Sequence, residues 1–169
     1  ITVNPLSTTS YTVTGTDGNG CVNTATTAVT VNALPTVTAS ASLSTVCAGS
    51  NTVLTGGGAT TYVWDNGATN GVSTTPSGTT TYEVTGTDDN NCVNTATTVV
   101  TVNALPTVTA SASVAAVCAG SNTVLTGGGA TTYVWDNGAT NGVSTTPSGT
   151  TTYEVTGTDD NNCVNTATT

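Results

Sequence analysis

Short runs in which apolar and polar residues alternate make up most of this chain. In residues 35–42, valine and alanine occupy every second position after Pro35, and threonine or serine fills the positions between them. Because successive side chains of a strand point to opposite faces, this alternation predicts a β-strand with one apolar face. Residues 92–102 form a longer run of this kind, and no stretch has the period of an α-helix. The pattern therefore predicts an all-β protein.

Turn-forming residues separate these runs into short strands. Three glycines follow residue 55, a proline and a glycine follow residue 75, and a polar turn occupies residues 88–91. Asn66 and Gly67 form a dipeptide that strongly favours a two-residue β-hairpin. The predicted strands in this part of the chain are residues 35–42, 51–55, 61–65, 71–75, 80–87 and 92–102. About six or seven short strands at this spacing predict a small antiparallel β-sandwich.

The chain is built from repeats. Residues 34–98 recur as residues 105–169, a period of 71 residues, and residues 1–33 are a divergent copy of the second half of this unit. The two long copies differ at three positions, where Leu43, Ser44 and Thr45 are replaced by Val114, Ala115 and Ala116. We predict three domains: the C-terminal half of a repeat (1–33), a complete repeat (34–104), and a repeat lacking the end of its last strand (105–169). We expect an excerpt of a longer array, or missing strands supplied by another copy.

Two aromatic residues fall where a sandwich core needs them. Trp64 lies on the third predicted strand, where such sandwiches bury a tryptophan. Tyr82 lies at the start of the penultimate strand, where a tyrosine corner is expected. We predict that Trp64 and its copy Trp135 pack in the core, whereas exposed tryptophans would be able to stack on sugars.

The charge of the chain excludes several classes of function. Lys, Arg and His are absent, nine residues are Asp or Glu, and the formal net charge is −9. Without cations to neutralise phosphates, we expect no binding to nucleic acids or anionic membrane surfaces. No apolar run approaches the ~18 residues of a transmembrane helix, so we expect no membrane insertion. Because His and Lys provide many general bases and activated nucleophiles, we expect no enzyme and no catalytic residues.

The order of motifs along one repeat resembles a known class of proteins. VCAG at residues 46–49 and TYVW at 61–64 precede TTTYEVT at 79–85, NC at 91–92 and a Thr/Val-rich final strand. This order is similar to that of the Ig-like and PKD-like repeats in very large secreted surface proteins of gliding and biofilm-forming bacteria. The resemblance implies tandem Ig-like antiparallel β-sandwich repeats of about 71 residues. It also implies an extracellular, cell-surface location, as in adhesins, stalks and filaments.

The five cysteines follow the repeat, with two in each long copy and one in the short copy. A secreted repeat with a small core favours disulfides. Pairing Cys47 with Cys92, and Cys118 with Cys163, lets each unit close on itself and is the prediction. In a standard sandwich, however, the turns that carry these cysteines lie at opposite ends, so Cys47–Cys163 across successive repeats is the alternative. Cys21 is expected to bond a cysteine outside the chain.

Acidic turns supply the candidate metal ligands. Asp88, Asp89, Asp159 and Asp160 lie beside asparagines, and such oxygen atoms suit calcium. The same residue types are ordinary turn formers, so a solvated hairpin turn is the competing interpretation. Apart from this calcium alternative, we expect no cofactor.

The repeat favours a structural role over a specialised site. Near-identical copies suit an array, whereas a ligand site usually needs one specialised loop. We expect part of a secreted cell-surface filament or adhesin stalk, forming a semi-rigid rod whose partners are other copies of the same repeat. A glycan-binding or other ligand-binding Ig-like module is the alternative, with surface glycans as its ligand.

Overall fold

The computed structural model describes all 169 residues and contains β-strands joined by turns and loops. The strands are β1 (Thr9–Thr16), β2 (Val22–Val29), β3 (Thr38–Ala41), β4 (Thr45–Cys47), β5 (Thr52–Gly57), β6 (Thr61–Trp64), β7 (Ser73–Thr74), β8 (Thr80–Thr87), β9 (Val93–Asn103), β10 (Thr109–Ala112), β11 (Thr123–Gly128), β12 (Thr132–Trp135), β13 (Ser144–Thr145), β14 (Glu154–Thr158) and β15 (Val164–Thr168). Two 3₁₀ turns, Asp65–Gly67 and Asp136–Gly138, are the helical segments. Neither is long or apolar enough to cross a bilayer. The predicted all-β class is confirmed.

The strands form five sheets. β1 and β2 make a two-stranded antiparallel ribbon. The strands of residues 34–104 form a three-stranded sheet in the order β3-β5-β7 and a four-stranded sheet in the order β4-β9-β8-β6. Those of residues 105–169 form two three-stranded sheets, β10-β11-β13 and β12-β14-β15. Two sheets in each long copy are consistent with the predicted β-sandwich.

Alternation along the strands follows the predicted apolar face. In β8, Tyr82 and Val84 are buried and Glu83 between them is exposed. In β9, Val100 is fully buried while Val99 is exposed. The period of two thus directs one row of side chains into the core and leaves the threonine-rich row in water.

Strand β4 departs from the predicted fold in two ways. The alternation of apolar and polar residues does not predict a strand here, and β4 pairs with its neighbour in parallel. Its three residues lie beside β9, with Thr45 opposite Thr101 and Cys47 opposite Asn103. A three-residue run is too short to show a period of two, and its partner lies more than fifty residues further along the chain. The prediction of a purely antiparallel sandwich is therefore wrong at this strand.

The dipeptide Asn66–Gly67 does not form the predicted β-hairpin. It lies in the 3₁₀ turn after β6, with φ values of 54° for Asn66 and 73° for Gly67. Strand β6 pairs with β8, whereas the next strand, β7, pairs with β5 in the other sheet. The left-handed backbone conformation that this dipeptide favours is present, but the turn lies on the connection from β6 in one sheet to β7 in the other.

The chain divides into two compact units that do not coincide with single repeats. The first comprises Ile1–Ser40, Leu54–Val72 and Tyr82–Thr98, and the second comprises Ala41–Val53, Ser73–Thr81 and Val99–Thr169. The main buried side chains of the first unit are Leu54, Trp64, Tyr82 and Val84. The predicted domain boundaries at residues 33 and 104 stay predictions.

The core of the second unit lies between two sheets. Leu125 of β11 clusters with Trp135 of β12 and Val155 of β14, and each is at most 4% exposed. Val108 and Tyr133 are among the half-buried side chains that pack against this cluster. These three strands belong to two different sheets, so their large side chains fill the space between the apolar faces, as a sandwich core requires.

A tyrosine hydroxyl bonds back to the backbone in each long copy, but it is not the predicted one. The hydroxyl of Tyr62 donates to the carbonyl of Ala59 at 2.5 Å and accepts from the amide of Ala59 at 2.8 Å. Tyr133 repeats both bonds with Ala130. Tyr82, predicted as the tyrosine corner, is instead a core side chain with 5% exposure.

Replacing Gly58 with alanine is expected to destabilise the fold by about 2 kcal/mol or more. Gly58 has a φ of 82°, and an added Cβ would overlap the carbonyl oxygen of Thr36. Gly78→Ala is the matched control, because a Cβ there meets nothing within 4 Å and its backbone needs no positive φ. Urea denaturation followed by circular dichroism measures the difference. Equal midpoints for the two variants would contradict this account of the turn.

Candidate functional site: the cysteine junction

A disulfide joins Cys47 to Cys163, whose Cα atoms are 5.5 Å apart. Cys47 belongs to the copy in residues 34–104 and Cys163 to the copy in residues 105–169, so the bond links successive repeats. The predicted pairings Cys47–Cys92 and Cys118–Cys163 are therefore wrong. The bond that forms is the alternative that sandwich topology favoured.

The cysteines of one repeat cannot pair because they lie at opposite ends of its strands. Cys118 borders a groove that is also lined by Tyr153 and Thr169, the pair at one end of β14 and β15. Cys163 lies in the turn at the other end of these strands, next to Val164. Five residues at ~3.3 Å each separate the two ends by about 16 Å, far beyond the reach of a disulfide.

Cys47 is held by the parallel pairing of β4. The amide of Ala48 donates to the carbonyl of Asn103 at 2.8 Å, and the amide of Ser50 donates to the carbonyl of Cys47 at 2.9 Å. Val46 is 5% exposed and points into the core. The alternation of the strand then turns the next side chain, Cys47, away from the core and leaves its sulfur free to bond another repeat.

Cys163 is held by a turn that a carboxylate closes. One oxygen of Asp159 accepts from the amides of Asn161 and Cys163, at 2.9 and 2.8 Å. The amide of Asp159 in turn donates to the carbonyl of Cys163 at 3.0 Å. Asp88 closes the matching turn before Cys92 in the same way. The acidic turn thus fixes the backbone on both sides of the cysteine.

The other predicted calcium ligands also act as hydrogen-bond acceptors. Asp89 accepts from the hydroxyl of Thr60, and Asp160 from that of Thr131, both at 2.7 Å. No group of three or more His, Cys, Asp or Glu side chains converges in a way that could hold a metal ion. The visible role of these four carboxylates is to shape turns, and calcium binding stays a prediction.

The tryptophans are buried and hydrogen-bonded, so they offer no exposed ring to a sugar. Trp64 is 4% exposed, and its indole NH donates to the side-chain oxygen of Asn70 at 3.0 Å. The same oxygen accepts from the amide of Gly56 at 2.7 Å. Trp135 and Asn141 repeat this arrangement. The sequence gives no sign of the role of Asn70, because its segment has the composition of an ordinary loop.

An open groove of about 460 Å³ lies beside Cys118 in the third repeat. Val117 and Tyr153 line it and are half-buried. Their counterparts in the middle repeat, Val46 and Tyr82, are each 5% exposed. There, the end of β9 pairs with β4 and completes the sheet.

Three cysteines have free thiols. Cys21 and Cys118 are exposed, and Cys92 is half-buried. The bond predicted from Cys21 to a cysteine outside the chain stays a prediction.

Replacing Asp159 with alanine is expected to lower the free energy of unfolding by about 1–2 kcal/mol. Two backbone amides lose a charged acceptor, and the turn that positions Cys163 loses its closure. Asp160→Ala is the control, because that carboxylate accepts one exposed hydroxyl. Its expected cost is below about 0.5 kcal/mol. Urea denaturation of both variants provides the comparison, and a smaller loss for Asp159→Ala than for Asp160→Ala would refute the assigned role.

No protein-family model matches the chain, and no curated protein matches it. The internal repeat and the disulfide between its copies are therefore the observations that bear on function.

Proposed function

We propose that this chain is a structural part of an extracellular cell-surface filament or adhesin stalk, built from tandem Ig-like repeats and without enzymatic activity. The observation that carries the proposal is the bond between Cys47 and Cys163. A disulfide within a domain would stabilise that domain alone. A disulfide between successive repeats fastens neighbours, which is what an array under mechanical load requires.

The disulfide also supports a location outside the cytoplasm. Disulfides persist in oxidising surroundings and are rare where thiol reductants are abundant. The formal net charge of −9 with no cationic side chain keeps such a surface from binding nucleic acids or anionic lipids. Both properties suit a secreted protein that contacts mainly other copies of itself.

Exposed apolar surface on the β1–β2 ribbon favours association with further copies. Every residue of β2 is exposed, and Val13 and Val22 are 65% and 62% exposed. A two-stranded ribbon with an uncovered apolar face is marginal by itself. Packing against another repeat would remove this surface from water and stabilise the ribbon.

Strand faces rich in threonine suit side-by-side packing. Thr12 and Thr26 face each other across the ribbon, with their hydroxyl oxygens 3.0 Å apart. Threonine favours the strand backbone and carries no charge, so it leaves the edges and faces of sheets open to contact with similar surfaces. This favours a filament in which repeats pack laterally as well as end to end.

Electron microscopy of the native extracellular material tests the proposal. Long uniform fibres with a regular axial repeat would support a filament, and separate thin beaded rods at a cell surface would support a stalk. An antibody against this chain, carried on gold particles, would identify it in either assembly. Labelling confined to the cytoplasm, or to dispersed monomers in the medium, would overturn the proposal.

A further inference from the structure

The strand pairing beside the disulfide joins the beginning and the end of one repeat. β4 lies near the start of the middle repeat, and β9 ends that repeat. The two strands run in parallel, with Thr45 opposite Thr101 and Cys47 opposite Asn103. The amide of Ala48 extends this pairing by donating to the carbonyl of Asn103 at 2.8 Å. The chain that enters the repeat is therefore bonded to the chain that leaves it.

Parallel pairing makes tension along the chain act on all of these contacts at once. Tension pulls β4 from its N-terminal end and β9 from its C-terminal end, and in parallel strands these ends lie at opposite edges of the pairing. The strands must then slide past each other, so their hydrogen bonds resist together. The β1–β2 ribbon is the opposite case. There the chain enters and leaves at the paired residues Thr9 and Val29, so tension opens one pair at a time.

The disulfide gives the same tension a shorter covalent path. Cys47 is the last residue of β4, and the cysteine to which it is bonded, Cys163, lies 116 residues further along the sequence. Tension that reaches Cys47 from the N-terminal side crosses the bond and continues along the chain from Cys163. Residues 48–162, which include β9, lie on the closed loop and outside this path. Because the bond fixes the distance between the two cysteines, no tension develops along the loop.

We propose that the Cys47–Cys163 disulfide carries tension past residues 48–162, and that the β4–β9 pairing bears the tension once the bond is reduced. The inference rests on the proposed function for the source of the tension, and it adds how the junction responds. The oxidised junction limits the length to which the chain can be drawn out. The reduced junction lets the loop unfold, but only after β4 has slid off β9.

A small thiol such as glutathione opens the bond in two exchange steps. The thiolate of the first glutathione attacks one sulfur, forms a mixed disulfide with that cysteine and releases the other cysteine, which takes up a proton. The thiolate of a second glutathione attacks the mixed disulfide and releases the remaining cysteine in the same way. Two glutathione thiols become one glutathione disulfide, and the protein gains two thiols.

Single-molecule force spectroscopy on the whole chain, held by enzymatically attached handles at both ends, tests the covalent path. Cys21, Cys92 and Cys118 are replaced by serine in every molecule, so that the remaining two cysteines form the only possible bond. The fully extended oxidised chain is expected to be about 400 Å shorter than the reduced chain, because the bond withholds 116 residues at ~3.6 Å each. Equal final lengths would overturn the inference.

Proline at residue 48 tests the strand pairing without disturbing the turn that follows β4. The amide of Ser50 donates to the carbonyl of Cys47 at 2.9 Å, and Gly49 between them has a φ of 83°. A turn with a positive φ at its third residue favours proline at its second. Ala48→Pro therefore keeps the turn and removes the amide that bonds Asn103.

Ala119→Pro is the matched control. The amide of Ser121 closes the same turn on the carbonyl of Cys118 at 2.9 Å, and Gly120 has a φ of 82°. No strand pairs with this segment in the way that β9 pairs with β4. The same substitution in the same type of turn thus removes no hydrogen bond between strands.

The reduced chain, held at one constant force, shows what the pairing contributes. Release of the residues between Thr45 and Thr101 should appear as a step of about 200 Å. Ala48→Pro is expected to shorten the waiting time for this step about fivefold, as the loss of about one net hydrogen bond predicts, and Ala119→Pro to change it less than about twofold. In the oxidised chain the step should be absent, with or without Ala48→Pro. Equal waiting times for the two variants, or the step in the oxidised chain, would overturn the inference.

The outcomes separate this inference from the proposed function. Native filaments or stalks that contain the chain, together with an oxidised chain that extends as far as the reduced one, would refute the inference and leave the structural role standing. A shortened oxidised chain and a faster step in Ala48→Pro, with no fibres or rods in the native material, would support the inference and refute the structural role. The difference in length between oxidised and reduced chains needs neither proline variant, so it tests the covalent path even where a variant fails to fold.

Discussion

Replacing Trp64 with alanine is expected to lower the free energy of unfolding by about 3–5 kcal/mol. The indole is 4% exposed, so its removal leaves a large cavity between the sheets. It also removes the NH that bonds the side-chain oxygen of Asn70 at 3.0 Å. That oxygen keeps only the amide of Gly56, so the loop that carries Asn70 loses one of its hydrogen bonds to the core strands.

The neighbouring residue supplies the control for this prediction. Val63→Ala removes apolar atoms from the same strand, but Val63 is 70% exposed, so its expected effect is within about 0.5 kcal/mol. Urea denaturation followed by far-ultraviolet circular dichroism measures both. The fluorescence of Trp135 separately reports whether the third repeat unfolds with the middle one. A loss below about 1 kcal/mol for Trp64→Ala would show that the tryptophan is not a core residue.

The sequence predicts the long strands because their side chains report their surroundings directly. Along β8 and β9, burial on one face selects apolar residues at every second position, and this period is readable without knowing the partner strand. The short strand β4 has no such period. Its parallel pairing with β9 depends on how the chain returns to it, so local composition does not contain the information.

Turn signals predict backbone conformation better than they predict connectivity. Asn66 and Gly67 adopt the positive φ values that their composition favours. Whether such a turn closes a hairpin depends on which strand lies beside β6, and here that strand is β8. The same limit applies to Tyr62 and Tyr82, because the hydroxyl of Tyr62 bonds the backbone of Ala59 whereas Tyr82 is buried in the core.

The cysteine junction was predictable as one of two alternatives. The repeat shows that the cysteines are of two kinds, and topology places the two kinds at opposite ends of a sandwich. That geometry favours Cys47–Cys163 over the pairings within repeats, although closure of each unit on itself suggests the reverse. The distance between the two cysteines of one repeat excludes a disulfide between them, however much such a bond would stabilise the repeat. Nothing in the local sequence identifies Asp159 as the residue whose side chain closes the turn before Cys163.

Removing the disulfide with the double substitution Cys47→Ala and Cys163→Ala is expected to cost about 2–5 kcal/mol. The bond spans 116 residues of sequence, and the entropy that it removes from the unfolded chain grows with the length of the closed loop. The expected cost therefore lies toward the upper part of the usual range for a single disulfide. It should fall mainly on the residues that the bond holds together, β4 and the turn after β14.

Urea denaturation of this variant and of Cys92→Ala provides the test. Cys92 is a free thiol in a matching turn, so its substitution removes a cysteine of the same kind but no cross-link. Dithiothreitol should lower the midpoint of the wild-type chain and of Cys92→Ala, and leave the midpoint of the double variant unchanged. Because Cys163 is fully buried, reduction should be slow in the folded chain and fast once urea exposes the bond. Equal midpoints for the oxidised and reduced wild-type chain would contradict this prediction, because they would mean that the disulfide adds nothing to the stability of the folded chain.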